Sequence, residues 1–551
     1  MTLQNKISKH FNLIVLMCIL TNAIGLFNDI LEPDGALYAS ISKLIVQKND
    51  WVNLYALGGD WLDKPHFPFW MSAISFKIFG INALAYKLPS FIFFVVGIYY
   101  TYRLATKVYT QEIAQLATII YTLALHIILC NFDVRAEIYL TTFIVASIYH
   151  LIIAAEKKWL LHILLAATYT ACGIMTKGIF VFITVGSGFV IYWLLSKQYK
   201  QFINIKWYLY VVFSLIFITP ELYCLYHQFD LHPEKMVFGK TNVSGLKFFF
   251  WDSQFGRFFN TGPIQGSGDV FFFLHTILWA FLPWSIYLVL GVYTTIRKIG
   301  SLVPNNKTIL FGCALFSFLL FSLSKFQLPH YIVIIFPLLS IFVADYLQNN
   351  STHKNVKWFS YVQTFIFSIL AVFISLITVF YKLNNYIVVI ALVVIFSYLC
   401  FVFFSKKILF NVIAKAMCFS VLLSVFLNLF FYPSLMQYQA GMMAGKWQQK
   451  HYPKSTIPMY KCYVYSFQFY GNSSLIGENN LTDYFKNSKE SKLLFANQSD
   501  VFSINKDSFN VNIKQSFPYF HITELNFEFI NNQTRYKAID SFAIFEAKPN
   551  Y

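Results

Sequence analysis

Apolar runs of about twenty residues follow one another along most of the chain, separated by short polar stretches. With a membrane-crossing helix needing roughly 20 apolar residues, the runs predict about thirteen. They begin with Phe11 to Phe27 and continue at Leu88 to Tyr109, Ile113 to Cys130, Val134 to Ala155, Trp159 to Met175, Ile179 to Leu195 and Trp207 to His227. Val270 to Thr295, Ile309 to Leu323, Pro329 to Leu347, Trp358 to Tyr381, Ile387 to Phe404 and Leu409 to Tyr432 complete the series. The first run follows Lys6 and Lys9 without a small-residue cleavage site, so it reads as an uncleaved helix. Two longer loops interrupt the pattern, at 28–80 and 228–269. After about Gln437 it gives way to short alternating segments (Ile457 to Tyr465, Lys514 to Phe520, Ala543 to Ala547) and a short helix at Leu481 to Asn487. The expectation is a mainly α, polytopic membrane protein, with a membrane part over 1–435 and a small external α/β domain over 436–551.

Composition agrees: of 551 residues, 57% are hydrophobic and 12% charged, about half the charge of a soluble domain. The net charge of +17 is spread in ones and twos, which excludes a nucleic-acid face and reads as topology. Arg103 and Lys107, Lys157 and Lys158, Lys197, Lys200 and Lys206, Arg297, Lys298 and Lys307, Lys354 and Lys357, and Lys406 and Lys407 mark one set of loops. By the positive-inside rule that set, with the N-terminus, is cytoplasmic. The two long loops and the tail then face out. Eight cysteines, mostly inside runs and without a CxxC pair, imply neither a disulfide framework nor a metal site.

The orientation gathers ionisable residues on the outer face: Asp34, Asp63, Lys64 and His66 in the first loop, then Asp133, Arg135, Glu137, Lys177, Arg257, Lys325 and His330. Charges at membrane depth are costly and mark substrate sites. The plain alternatives are that each is an interfacial anchor, and that Asp34 only caps the helix implied by Leu37, Ile41, Leu44 and Ile45. There is no GxGxxG, Walker A, HExxH or DxD signature. An enzyme on that face, with no nucleotide pool, would need a lipid-borne activated substrate.

Several segments carry a resemblance. EPDGALYASIS, NDW, DKPHFPFWMSAISFKIFG and KLPS lie in and after the first loop. GIMTKG follows at Gly173 to Gly178, FGRF at Phe255 to Phe258, FLPW at Phe281 to Trp284 and SKFQLPHY at Ser324 to Tyr331. In this order, over residues 11 to 350, the chain resembles polyprenyl-phosphate-sugar-dependent glycosyltransferases of the GT-C fold. The lipid A aminoarabinose transferases and the protein-mannosyltransferase-like group are the nearest. The resemblance implies an inverting transfer from a polyprenyl-phosphate sugar to a lipid, glycan or protein acceptor at the periplasmic face of a bacterial inner membrane. It makes Asp34 and Glu137 the catalytic acids and puts Lys64, Lys177, Arg257, Lys325, His330 and Tyr331 around the lipid phosphate. Asp63, His66 and Arg135 are further site candidates. The chain departs from the family at Gly35 (usually Glu), Leu37 (often Arg), Gln254 (a His tied to a metal in relatives) and Gln327 (usually Lys). A divalent ion is therefore left open, with Asp63 the candidate ligand, and no other cofactor is implied. The rival readings are a lipid-linked oligosaccharide transporter, which would show two related halves, and a polysaccharide polymerase.

Overall fold

The computed structural model describes all residues except 1–2, 57, 157–158, 299–303, 352, 403–407, 477–480, 487, 489, 506 and 551. Of the basic loop residues named above, Lys157, Lys158, Lys406 and Lys407 therefore lie outside the described residues.

The chain opens with α1 (Leu3–Ala23) and a first loop that is itself folded. This loop holds α2 (Asp34–Lys48), a two-residue hairpin of β1 (Tyr55–Ala56) and β2 (Gly59–Asp60), and α3 (Phe67–Phe79). α2 stops where Asn49 turns left-handed (φ 52°) and the Asp50 carboxylate accepts the N–H groups of Val52 and Asn53. There follow α4 (Ala83–Val108), α5 (Gln111–Leu123), α6 (Leu125–Phe132), α7 (Ala136–Glu156), α8 (Trp159–Lys177), α9 (Val181–Leu195), α10 (Ile205–Phe217) and α11 (Thr219–Leu225). After the second long loop come α12 (Phe272–Ala280), α13 (Ser285–Lys298), α14 (Asn306–Leu323), α15 (Phe336–Asn349), α16 (His353–Tyr381), α17 (Tyr386–Val402), α18 (Ile408–Val425) and α19 (Ala440–His451).

The expected count of thirteen spans is not confirmed by helix length and composition. Among the described residues, eight helices are long and apolar enough to cross a membrane, or ten if the bent pairs α5–α6 (54°) and α10–α11 (40°) each count once. The missing runs form shorter helices: α9 and α17 have 15 and 17 residues, and Val270 to Thr295 is broken by Pro283 into α12 and α13. An apolar run measured along the sequence overstates the straight helix it yields wherever proline or a bend intervenes.

α7 is apolar on every side, with 89% of its span buried, and packs between α4 and α8. Elsewhere small residues set the approach. A Cβ on Gly188 of α9 would lie 2.0 Å from the Ile309 carbonyl of α14, and one on Gly312 would lie 2.7 Å from Gly188 Cα. Backbone contact of this kind is how membrane helices pack without a hydrophobic drive between them.

The tail forms a five-stranded sheet in the order β4 (Ser473–Leu475), β3 (Ile457–Met459), β5 (Lys492–Asn497), β7 (Asp540–Pro549), β6 (Phe509–Tyr519). β3 pairs parallel with β4 and β5, and β7 pairs antiparallel with β5 and β6. Alternation divides its side chains. Leu494, Ala543 and Phe545 meet Leu481 and Phe485 on one face, while Phe495, Phe542 and Ile544 meet Ala440 and Ala444 of α19 on the other.

This sheet region is bolted to the first loop. Lys43 Nζ donates to the carbonyls of Gln468, Phe469 and Gly471 at 2.7 to 2.9 Å, closing the helix Tyr465–Tyr470. The Gln439 amide bridges the Ile30 carbonyl and the Glu32 N–H, and Lys446 pairs with Asp29 at 2.6 Å. Any ligand approaching α2 therefore meets both regions.

Candidate functional site

Glu137 is the second residue of α7 and Glu156, which pairs with Lys107 of α4, is its last; at 1.5 Å per residue the two are about 30 Å apart. The charges assigned to the outer face collect at the Glu137 end, in three ion-pair groups.

The first joins α2 to the loop before α7. Arg135 Nη1 donates to Asp34 Oδ2 at 2.7 Å, and Nη2 pairs with Asp133. Asp34 is the first residue of α2, its N-cap is Pro33, and no side chain caps that end. The capping explanation for Asp34 therefore falls away. Space at Gly35 is tight: a Cβ there would lie 3.2 Å from Ile30 Cγ2 and 3.3 Å from Asp133 Oδ1. Asp133 thus supplies, from another loop, a second carboxylate beside Asp34. Burial, reinforced by Asp34, pushes the Asp133 carboxyl above its ordinary range against the pull of Arg135.

In the second group, Asp63 accepts from Lys64 at 2.9 Å through one oxygen and from Arg257 through the other. Burial works to raise this carboxyl, but the two cations outweigh it and hold it below the ordinary value. Both oxygens being engaged, Asp63 is poorly placed as a metal ligand. No group of three or more His, Cys, Asp or Glu among the described residues is placed to hold one.

The third group lies deepest. Glu137, 2% exposed, pairs with Lys177 at the end of α8, and His330 Nε2 stands 3.9 Å from its other oxygen. The Lys177 ammonium also sits 3.3 Å above the Tyr331 ring. α8 stops here because Gly178 adopts φ +125°, and because Gln254 occupies the space a side chain at 178 would need: a Cβ would lie 2.1 Å from its amide. Gln254 donates to the Lys177 carbonyl at 3.1 Å. It belongs to the π-helical stretch Phe248–Gly256, whose wide turns bring Gln254 and Arg257 to the end of α8.

Beside these groups opens a cavity of about 410 Å³, walled by Phe180, Phe255, Phe258, Phe321 and Phe326, with Lys177, Arg257 and Tyr331 in the same wall. Ile183, Phe255 and Phe259 on its rim are exposed. A small adjoining hollow of about 20 Å³ shares Lys177 and Arg257 and adds Asp63 and Lys64. An aromatic cavity with an exposed apolar rim and three cations beside it can take an acyl or polyprenyl chain carrying an anionic head.

Two expected site residues lie apart. His66 is 1% exposed and fully engaged, with Nδ1 on Glu221 and Nε2 on the Val52 carbonyl, each at 3.0 Å. It ties the first loop to α11. Lys325 has an exposed side chain that does not line the cavity; its backbone holds Gly268 and Phe258 instead. Gln327, where a Lys is usual, bridges the Asp269 N–H and the carbonyls of Phe321 and Ser322, a tie an ammonium could not make because it cannot accept.

Residues 63–224 match the family described as dolichyl-phosphate-mannose-protein mannosyltransferase. The undecaprenyl phosphate-alpha-4-amino-4-deoxy-L-arabinose arabinosyl transferase of Pseudomonas aeruginosa (strain UCBPP-PA14) is 24% identical over 55% of this chain and 52% of its own length. That of Wigglesworthia glossinidia brevipalpis is 25% identical over 68% and 66%. The chain thus aligns with half to two thirds of these relatives' length. Among solved structures, ArnT from Cupriavidus metallidurans in the apo state superposes with a TM-score of 0.75 at 16% identity, covering 98% of both chains. The same protein bound to undecaprenyl phosphate gives 0.73 with equal coverage. The fold is the GT-C fold of membrane glycosyltransferases.

Proposed function

We propose that this chain is a membrane glycosyltransferase of a bacterial inner membrane, moving a sugar from a polyprenyl phosphate to an acceptor on the periplasmic face. Residues 1–435 would carry the reaction and 436–551 form a periplasmic domain. The observation that carries the reading is the aromatic cavity with Lys177 and Arg257 in its wall and Lys64 beside it. The transferases among the relatives favour it over a carrier or a polymerase.

In the reaction, the acceptor oxygen attacks the anomeric carbon, the bond to the phosphate oxygen breaks, and its electron pair leaves with the polyprenyl phosphate. A single displacement inverts the anomeric centre. Arg257, Lys64 and Lys177 stabilise the departing phosphate in a site of low dielectric. Asp34 takes the acceptor proton. It is the accessible acid, 42% exposed against 2% for Glu137. Glu137, locked to Lys177, is a positioning residue.

The purified protein in proteoliposomes, given a polyprenyl-phosphate sugar and membrane acceptor, is expected to release polyprenyl phosphate and label the acceptor. Neither product appearing with any such donor would overturn the proposal. Arg257→Ala removes a charge-assisted contact worth about 1.5–3 kcal/mol and should weaken undecaprenyl phosphate binding at least about tenfold. Lys325→Ala should change it much less; equal losses would mean that Lys325 reaches the phosphate.

Topology follows from the same proposal. A reporter fused after Tyr432 is expected to be exported and one near Lys200 to stay cytoplasmic. Both on one side would remove the basis for a periplasmic site.

A further inference from the structure

A second cavity, of about 190 Å³, lies where the first loop meets the C-terminal sheet region, walled by Glu32, Tyr463, Tyr465, Tyr519 and His521. It shares none of its residues with the aromatic cavity. It lies beside Asp34: Pro33 is part of its wall, and the Tyr465 hydroxyl, raised chiefly by burial, also feels both the Glu32 and Asp34 carboxylates.

Its chemistry is specific. Glu32 Oε1 accepts the Ser466 N–H at 2.6 Å, and no Lys or Arg among the described residues pairs with this carboxylate. Burial pushes the Glu32 carboxyl up, against its hydrogen bonds from Ser466 and the pull of the His521 imidazole, and Lys446 is committed to Asp29. Tyr463 is 63% exposed, and Tyr519 is held edge-on against Phe542 at 5.0 Å. The wall thus combines aromatic faces, phenol hydroxyls, an imidazole and a carboxylate without a Lys or Arg partner among the described residues. A pyranose ring matches this set, laying its C–H face on an aromatic ring and its hydroxyl or amino groups on the carboxylate and phenols. A phosphate matches it less well, because Glu32 faces the cavity and no Lys or Arg lines the wall. At 190 Å³ the cavity is smaller than sites for drug-sized ligands, about 300–1,000 Å³, and suits a single ring.

We propose that this pocket is the acceptor subsite, binding one phosphate-free pyranose unit of a glycan so that a neighbouring hydroxyl reaches Asp34. The assignment rests on the glycosyltransferase reading and narrows its acceptor to a saccharide-bearing molecule. It also gives the sheet region a role in catalysis, as half of the acceptor site.

The test uses the full-length protein in detergent with methyl β-D-glucosaminide as probe, read by saturation-transfer NMR titration. Binding is expected for the wild type. Glu32→Gln, which keeps the Ser466 bond but loses the charge, should weaken it roughly tenfold. Tyr463→Ala, at an exposed position, should weaken it about three- to tenfold. No wild-type binding, or equal affinity in all three proteins, would overturn the assignment. Undecaprenyl phosphate binding, measured on the same samples, separates the two claims. If it is intact while the pyranoside result is negative, only the subsite fails; if the wild type does not bind it, the glycosyltransferase reading fails as well. In transfer assays the variants should raise KM for the acceptor and leave KM for the donor unchanged. A rise confined to the donor would assign the pocket to the donor sugar and overturn the acceptor assignment.

Discussion

Asp34→Asn is expected to lower sugar transfer by at least about a hundredfold, the usual scale for losing a general base, while expression, melting temperature and donor binding stay close to wild type. The stability expectation follows from the position of Asp34 in α2. It makes no capping bond, so Asn forfeits the attraction of a charge to the helix N-terminus, about 0.3–1 kcal/mol, and the ionic part of the partly exposed pair with Arg135, about 0.2–1 kcal/mol. An Asn side-chain oxygen can still accept from Arg135, which retains its second partner, Asp133. What the variant cannot do is take a proton from an acceptor hydroxyl. Asp133 does not replace it: Asp133 is 13% exposed where Asp34 is 42%. The measurement compares purified wild type, Asp34→Asn and Asp34→Glu with one polyprenyl-phosphate donor and the native acceptor. Wild-type turnover by Asp34→Asn would remove Asp34 from the mechanism, whatever became of the glycosyltransferase assignment.

How far the site was legible in the sequence depended on where each partner lay. Asp63 and Lys64 are adjacent, and Asp133, Arg135 and Glu137 fall within five positions, so loop charge and orientation were enough to nominate them. Their pairing was not readable, because Lys177, Arg257 and His330 come from distant loops and meet Asp63 and Glu137 only through helix packing. Two residues shared the outer-face pattern and went elsewhere. His66 found Glu221, which sits 155 positions away inside a run read as purely apolar, and Lys325 turned to the surface. Gly35 stands where the family usually has Glu, and Asp133, sharing Arg135 with Asp34, brings a carboxylate beside it from across the fold. The count of thirteen spans is not confirmed by helix length, for a related reason. Hydropathy sums composition and does not register the bend at Ala124, the break at Pro283 or the shortness of α9 and α17. The alternating segments named in the tail overlap β3, β6 and β7 but not β4 or β5, and Glu32 and Tyr519, nearly five hundred positions apart, gave no sign of sharing a pocket.

The Glu137–Lys177 pair gives the second large effect, in a form that separates structure from chemistry. Lys177→Met leaves the Glu137 carboxylate 2% exposed, with His330 as its one remaining partner within 4 Å among the described residues. Removing one partner of a buried ion pair costs roughly 3–5 kcal/mol, so the single variant should melt well below wild type in detergent and lose undecaprenyl phosphate binding. By itself that outcome would not distinguish a phosphate-binding lysine from a structural one. Replacing both members, Glu137→Leu with Lys177→Met, removes the unpaired charge, and apolar replacement of a buried pair is often neutral or stabilising. The double variant is therefore expected to recover most of the melting temperature and none of the donor affinity, because the ammonium beside Tyr331 in the cavity wall is gone. Thermal unfolding and undecaprenyl phosphate binding on the three proteins decide the matter. A double variant that binds the donor like wild type would make Lys177 a counter-ion for Glu137 and leave Arg257 and Lys64 to hold the phosphate.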